Sequence, residues 1–137
     1  MNRQQIIDAA RGLLGTPWQH QGRQPGIGID CAGVILYVLG LNGFDYEVSG
    51  YPRQPDGTLT THAEACLTRI PKEAAQPGDV LIFRVKREPQ HIALLTDKGI
   101  LHSYERGGGE LSKVVEHGLT DSWRKHIVAA YKFPWVD

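Results

Sequence analysis

GIDCAGVILYVLG, residues 28–40, is the stretch that decides the fold. A turn-rich segment, residues 22–30, gives way at Cys31 to a run of apolar residues, which is typical of a loop that opens into a buried helix. In the first turn of a helix, a cysteine sulfur lies near backbone N–H groups without intrahelical partners and at the positive end of the helix dipole. Both effects favour the nucleophilic thiolate, so we expect a depressed pKa at Cys31.

Two histidines further along the chain complete a candidate catalytic set. His91 and His102 each lie in a segment whose short apolar pattern predicts a strand. His102 follows His91 across an Asp97-Lys98-Gly99 turn, which suits two neighbouring antiparallel strands. One thiol and two imidazoles on rigid elements are typical of a cysteine hydrolase.

The rest of the chain predicts helices first and strands after. Asn2 and Gln5 form a capping box that opens a first helix, and Thr61 and Glu64 form a second box that opens a short later helix. Helices that precede an antiparallel sheet indicate an α+β fold, and we expect one domain over residues 1–137. The predicted strands are residues 80–83, 91–95, 100–102, 114–115 and 127–131.

Composition excludes several classes of function. Fifteen basic and fifteen acidic residues give a formal net charge of zero, which does not fit a nucleic-acid-binding surface. No apolar run approaches membrane-spanning length, and the N-terminus lacks the apolar region of a signal peptide, so we expect synthesis in the cytoplasm. Two cysteines do not make a disulfide framework, and Cys66, inside a predicted helix, is interpreted as a structural residue.

Four ordered motifs carry a resemblance to a known family. The motifs are LGTPW (14–18) with GIDCAGV (28–34), PGDVLIF (77–83), QHIALL (90–95) and ILHS (100–103). In these motifs the chain resembles the NlpC-type, papain-like cysteine peptidases, which hydrolyse bacterial peptidoglycan. That resemblance implies a papain-like fold in which the nucleophile at a helix start packs on a C-terminal antiparallel sheet, with no cofactor.

The resemblance also implies roles for individual residues. Cys31 would be the nucleophile, His91 the base that takes its proton, and His102 the residue that orients the His91 ring. Trp18 stands where the family usually has a tyrosine and would form an apolar wall with one N–H for the substrate. Asp30 matches a position that can hold a substrate amine in family members that cleave short peptides.

The implied substrate is the peptide stem of bacterial peptidoglycan, cut between D-glutamate and the following diamino acid. The variants HQGR (20–23) and AAYKFP (129–134) look most like the small members encoded with phage tail genes. This narrower resemblance implies tail proteins as partners and a virion-borne enzyme that acts on the cell wall.

Other interpretations of the same residues stay open. As the runner-up to a peptidase, the same thiol chemistry fits an amidase, an acyltransferase or a thioesterase, and an inactive peptidase scaffold would fit a structural protein of the tail. Cys31, His91 and His102 could in principle bind zinc, but no local ligand pairing supports a metal site, and we expect none. The remaining histidines are expected to be surface or loop residues: His20, His62, His117 and His126.

Overall fold

The computed structural model describes residues 1–48, 50–51, 58–84, 91–106 and 109–136. Over these ranges the chain forms four α-helices and eight strands, with short 3-10 turns between some of them. None of the described helices is long and apolar enough to cross a membrane. The elements are α1 (Arg3–Arg11), β1 (Arg23–Gln24), β2 (Gly28–Ile29), α2 (Cys31–Leu41), α3 (Thr58–Cys66), β3 (Thr68–Ile70), β4 (Val80–Phe83), β5 (His91–Thr96), β6 (Gly99–Tyr104), β7 (Lys113–His117), α4 (Asp121–Arg124) and β8 (Ile127–Lys132).

A six-stranded antiparallel sheet forms the C-terminal part of the domain. Its strand order is β3-β8-β4-β5-β6-β7, and each neighbouring pair is antiparallel. The sequence placed five of these six strands correctly, and β6 and β7 are longer than predicted. The predicted α+β class, with helices before an antiparallel sheet, is confirmed.

The first helix begins where the capping box predicts. The Asn2 side chain accepts a hydrogen bond from the Gln5 backbone N–H at 2.8 Å, and the Gln5 side chain accepts one from Asn2 N at 2.8 Å. These two bonds satisfy backbone donors that the first turn leaves without partners. Ile6, Ile7 and Ala10 follow at helical spacing and are buried against the sheet side of the domain.

The second predicted capping box is wrong. Helix α3 begins at Thr58, so Thr61 lies inside it and does not cap it. Ala63 in this helix and Leu67 directly after it are both buried, and the Leu67 backbone N–H donates to the Ala63 carbonyl at 2.8 Å. The chain then continues into β3, a strand absent from the prediction, which forms by pairing with the distant β8.

The two faces of the sheet bury different clusters. The larger cluster lies between the sheet and helices α1 and α2, and Cys31 packs against its edge. The smaller cluster includes Phe83 and Ile100, and Trp123 from α4 packs on it. Strands β4 and β5 contribute side chains to both cores, and the first residues of β5 lie beside the start of α2.

Candidate active site

Cys31 is the first residue of helix α2, as the sequence predicts. Asp30 caps this helix, because its Oδ1 accepts a hydrogen bond from the backbone N–H of Gly33 at 2.8 Å. Gly33 is needed here, since a Cβ at this position would lie 2.7 Å from the Gly22 carbonyl oxygen. The tight contact between the preceding loop and the helix fixes where the cysteine sits.

The Asp30 carboxylate is buried and already has protein partners. Besides Gly33, it accepts hydrogen bonds from Arg23 Nη1 at 2.9 Å, from the Gln21 backbone N–H at 2.9 Å and from the Tyr51 hydroxyl. Its exposed fraction is 4%. Four donors occupy both oxygens, which favours a structural role at the start of α2; the binding of a substrate amine by Asp30 stays a prediction.

The predicted depression of the Cys31 pKa is wrong for the resting protein. The residue keeps some exposure, yet burial of its sulfur, followed by the nearby Asp30 carboxylate, raises the pKa to about 12. The backbone N–H groups of Ile92, Ala32 and Cys31 itself act in the opposite direction and lower the pKa. Desolvation of the charged form therefore outweighs the favourable helix start.

His91 is the first residue of β5, and its ring is joined to the neighbouring strand. His91 Nε2 and His102 Nδ1 form a short hydrogen bond, which confirms that the two predicted histidines come together. Burial lowers the pKa of His91 to about 4 and, together with the adjacent histidines, lowers that of His102 to about 2. Both imidazoles are therefore neutral at physiological pH.

Cys31 and the first residues of β5 come together. The Cys31 sulfur accepts from the backbone N–H of Ile92, the residue after His91. Over the described residues no hydrogen bond joins the sulfur to the His91 ring itself. The resting site thus holds a neutral thiol beside a neutral imidazole, and catalytic hydrogen bonds of this kind commonly tighten only when substrate binds.

A third histidine extends the pair, and sequence reasoning missed it. His117, expected to be a surface or loop residue, is the last residue of β7. Its Nε2 lies 2.8 Å from His102 Nε2, and its Nδ1 lies 3.0 Å from the Gly118 carbonyl oxygen. The signal that would have found it is the alternation Val115-x-His117, which places both side chains on one face of the strand.

The other three histidines lie apart from this chain of imidazoles. His20 Nε2 lies 3.0 Å from the Tyr51 carbonyl oxygen, and His62 Nδ1 lies 2.9 Å from the Tyr46 hydroxyl. His126 closes the last turn of α4 through its backbone N–H, which donates to the Trp123 carbonyl at 3.0 Å. All three are half-buried; His20 and His126 lie in turns, as the sequence predicts, whereas His62 lies in α3.

Aromatic rings enclose the histidines. The Trp123 ring centroid lies 5.9 Å from that of His91, 5.2 Å from that of His102 and 5.7 Å from that of His117. Tyr104 stacks on His102 at 5.2 Å with an interplanar angle of 22°. These contacts exclude water from the imidazoles, restrict rotation of their rings and account for the lowered pKa values of His91 and His102.

Trp18 pairs with the segment that leads into Cys31. It forms an isolated parallel bridge with Ile29, two residues before Cys31, and its backbone N–H donates to the Ser112 carbonyl at 2.8 Å. The indole is partly exposed, and its centroid lies 6.5 Å from that of His20. The predicted place of Trp18 next to the cysteine agrees with this geometry, while its contact with a substrate stays a prediction.

His91, His102 and His117 are bonded in series and do not surround a common point. In the described part of the chain, no group of three or more His, Cys, Asp or Glu side chains is arranged to hold a metal ion. The histidines instead bond one to the next, which is a geometry suited to orienting rings and moving a proton.

Comparison with known proteins assigns the family. The sequence matches the NlpC/P60 family over residues 15–131, and the chain therefore belongs to the NlpC/P60 family. No curated protein sequence matches it.

Solved structures share the fold at low sequence identity. The NlpC/p60 domain of the peptidoglycan hydrolase SagA is 22% identical with a TM-score of 0.67, over 97% of this chain and 100% of that one. An NlpC/P60 family protein from Bacillus cereus ATCC 10987 is 22% identical with a TM-score of 0.70, over 96% of this chain and 40% of its own. The P60 domain of antigen MAP1204 from M. avium subspecies paratuberculosis is 17% identical with a TM-score of 0.62, over 96% and 93%. The predicted papain-like α+β fold is confirmed.

Proposed function

We propose that the protein is a cysteine peptidase that hydrolyses the peptide stem of bacterial peptidoglycan. The observation that carries this proposal is the meeting of Cys31, at the start of α2, with the first residues of β5, where His91 is bonded to His102. A thiol, a base and a group that orients the base are the parts that nucleophilic acyl transfer needs.

The reaction proceeds in two halves. As the Cys31 sulfur attacks the scissile carbonyl carbon, its proton passes to His91, and backbone N–H groups at the start of α2 stabilise the negative oxygen. The protonated His91 then gives this proton to the leaving amine, and a thioester on Cys31 remains. Water attacks the thioester with His91 again as the base, which releases the acid product and restores the thiol.

The protonation states of Cys31 and His91 before substrate binds support one order of proton transfer and nucleophilic attack. With pKa values of about 12 for Cys31 and about 4 for His91, the proton stays on sulfur before substrate binds. Proton transfer therefore accompanies attack on the carbonyl and does not precede it. His91 acts as a general base, in contrast to a site that holds a preformed thiolate–imidazolium pair.

The choice of bond follows from the family resemblance. We assign the cleaved bond to the one between D-glutamate and the following diamino acid, with Trp18 as an apolar wall beside Cys31. Membership of the NlpC/P60 family supports peptidoglycan as the substrate, and the place of Trp18 next to Ile29 supports a contact between Trp18 and the substrate. Contacts away from the scissile bond must hold the carbonyl within roughly 3–3.5 Å of the sulfur.

Delivery by a phage tail forms part of the proposal. Its support is the similarity of residues 20–23 and 129–134 to the small members encoded with phage tail genes. On this view the chain is made in the cytoplasm, assembles with tail proteins and opens the wall locally. Mass spectrometry of purified virions that detects the chain at a stoichiometry fixed relative to the tail supports this step, and virions without the chain rule it out.

Digestion of purified peptidoglycan, followed by mass analysis of the products, tests the activity and the bond together. The proposal predicts fragments that end in D-glutamate and fragments that begin with the diamino acid. Products cut between the sugar and the first L-alanine would instead identify an amidase. Intact peptidoglycan at every enzyme concentration would favour an inactive scaffold.

A further inference from the structure

We infer that His117 is a positioning residue that fixes, through His102, which nitrogen of His91 is free to take a proton. This inference rests on the proposed function, in which His91 is the base. The three imidazoles form a continuous chain, from His91 Nε2 to His102 Nδ1 and from His102 Nε2 to His117 Nε2.

The series of bonded imidazoles ends at the carbonyl group of Gly118, which can only accept a hydrogen bond. A carbonyl oxygen only accepts hydrogen bonds, so His117 Nδ1, at 3.0 Å from the Gly118 oxygen, must be the donor. A neutral imidazole carries one N–H, which leaves His117 Nε2 as an acceptor. The turn at Gly99 packs directly on this place, because a Cβ there would lie 2.1 Å from the His117 carbonyl oxygen.

The acceptor at His117 Nε2 then determines which nitrogen donates and which accepts in each of the other two rings. Since His117 Nε2 accepts, His102 Nε2 must donate, and His102 Nδ1 becomes an acceptor. His91 therefore donates from Nε2, and its lone pair is on Nδ1. Nδ1 is the ring nitrogen on the main-chain side of the imidazole, and the main chain here, at Ile92, contacts the Cys31 sulfur.

Burial keeps the three imidazoles in this single arrangement of protons. His102 has an exposed fraction of 0%, so its ring protons exchange poorly with water, and both of its ring nitrogens are hydrogen-bonded. If His117 offers no acceptor, His102 is free to carry its proton on Nδ1 and to donate to His91 Nε2. His91 would then carry its own proton on Nδ1, where it cannot accept one from the thiol.

Nitrogen NMR of the histidine rings tests this directly, because the two neutral tautomers give different patterns of long-range proton–nitrogen correlation. In the wild-type protein at neutral pH we expect His91 and His102 protonated at Nε2 and His117 at Nδ1. His117→Leu should move the His91 proton to Nδ1 in a large share of molecules. His117→Gln, whose side-chain oxygen accepts from His102 Nε2, should restore the wild-type pattern.

Kinetics provide the second readout on the same variants. We expect His117→Leu to lower kcat at least about tenfold with KM changed less than about twofold, since only the tautomer of the base changes. His117→Gln should recover most of this loss. His126→Leu is the matched control, a half-buried histidine outside the chain, and should keep wild-type kcat and ring tautomers.

The outcomes separate this inference from the proposed function. An unchanged His91 tautomer in folded His117→Leu, or equal losses in the Leu and Gln variants, would overturn the role of His117. If the wild-type protein cleaves no peptidoglycan, the proposed function fails, but the ring NMR still reports the tautomers. Expected tautomers in an inactive wild-type protein would support the positioning role alone, and reversed tautomers would reject it.

Discussion

His102 Nε2 lies 2.8 Å from His117 Nε2, and this contact links the sheet edge at β7, through His102, to the His91 ring at the start of β5. A neutral imidazole is a weaker support for a developing imidazolium than a carboxylate, and His102 carries no charge in the resting state because burial lowers its pKa. The role inferred for His117 is instead to fix which ring nitrogens of His102 and His91 carry protons. The site thus consists of a thiol and three rings, and the last ring is anchored on a backbone carbonyl.

The first prediction concerns the reactivity of Cys31 without substrate. Because burial raises its pKa to about 12, the thiolate fraction should rise about tenfold per pH unit up to strongly alkaline pH. The rate of iodoacetamide labelling at Cys31, followed by peptide mass mapping, should therefore climb steadily between pH 6 and 9. A rate that is already at its plateau near pH 6 would mean a preformed thiolate.

A second prediction concerns Asp30→Asn. An amide keeps the helix cap but turns one oxygen into a donor, which then faces a donor already present, so we expect a loss of about 1–3 kcal/mol in the free energy of unfolding. Removal of the negative charge should also lower the pKa of Cys31 and move its labelling profile to lower pH. Urea denaturation and labelling on one preparation measure both effects.

Glu47→Gln is the matched control for Asp30→Asn. Glu47 also pairs with Arg23, at 3.0 Å, but its side chain is 55% exposed, so removal of its charge should change the free energy of unfolding by less than about 1 kcal/mol.

If the Asp30 carboxylate is structural, Asp30→Asn should lower the activity on peptides with a free amine and on peptides with a blocked amine equally. A selective loss with the free-amine peptides would instead assign amine binding to Asp30.

A third prediction separates the roles of His91 and His102. His91→Ala should abolish turnover almost as fully as loss of the nucleophile, since base and nucleophile act as a unit. His102→Gln can accept from His91 Nε2 through its oxygen and donate through its amide, so it should retain more activity than His102→Ala. If His91→Ala stays active while His102→Ala does not, the base and the orienting residue have been exchanged.

A fourth prediction concerns stability against pH. The pKa of His91 falls from 6.5 to about 4 in the folded protein and that of His102 to about 2, so only the unfolded chain binds their protons near pH 5 to 6. The free energy of unfolding should therefore decrease as pH falls below about 6.5, by up to about 1.4 kcal/mol per pH unit for each histidine.

Urea denaturation between pH 7 and 5 measures this decrease. Glu116 and Asp97, whose pKa values Arg11 lowers, contribute to acid destabilisation mainly below this window. In His91→Gln the slope should decrease by up to about 1.4 kcal/mol per pH unit. A free energy of unfolding that is flat from pH 7 to 5 in the wild-type protein would contradict the neutral, buried histidines.

Local sequence signals predicted the framework of the site. The capping box of Asn2 with Gln5 and the helix start at Cys31 are short-range patterns, so the sequence alone specifies them. The strands of His91 and His102 were likewise visible from their apolar alternation and the turn between them. These elements need no knowledge of distant residues.

What the sequence did not reveal depends on distant pairing and burial. His117 reaches His102 only because β7 pairs with β6 in the register that sets His102 opposite Val115. The pKa of Cys31 depends on how completely folding removes water from its sulfur and on the Asp30 carboxylate beside it. A sequence pattern typical of a helix start does not predict the size of either effect. Strand β3 forms only against β8, which is also a long-range event.

Turnover of a purified stem peptide by Cys31→Ala and Cys66→Ala tests the assignment of the nucleophile most directly. Both cysteines are partly buried, and Cys66 Sγ donates to the His62 carbonyl at 3.2 Å inside α3, outside the series of bonded imidazoles formed by His91, His102 and His117. With both variants folded as judged by circular dichroism, we expect Cys31→Ala to have no turnover above background and Cys66→Ala to keep most of the wild-type rate. Cleavage by Cys31→Ala at a rate near that of the wild-type protein would contradict the account.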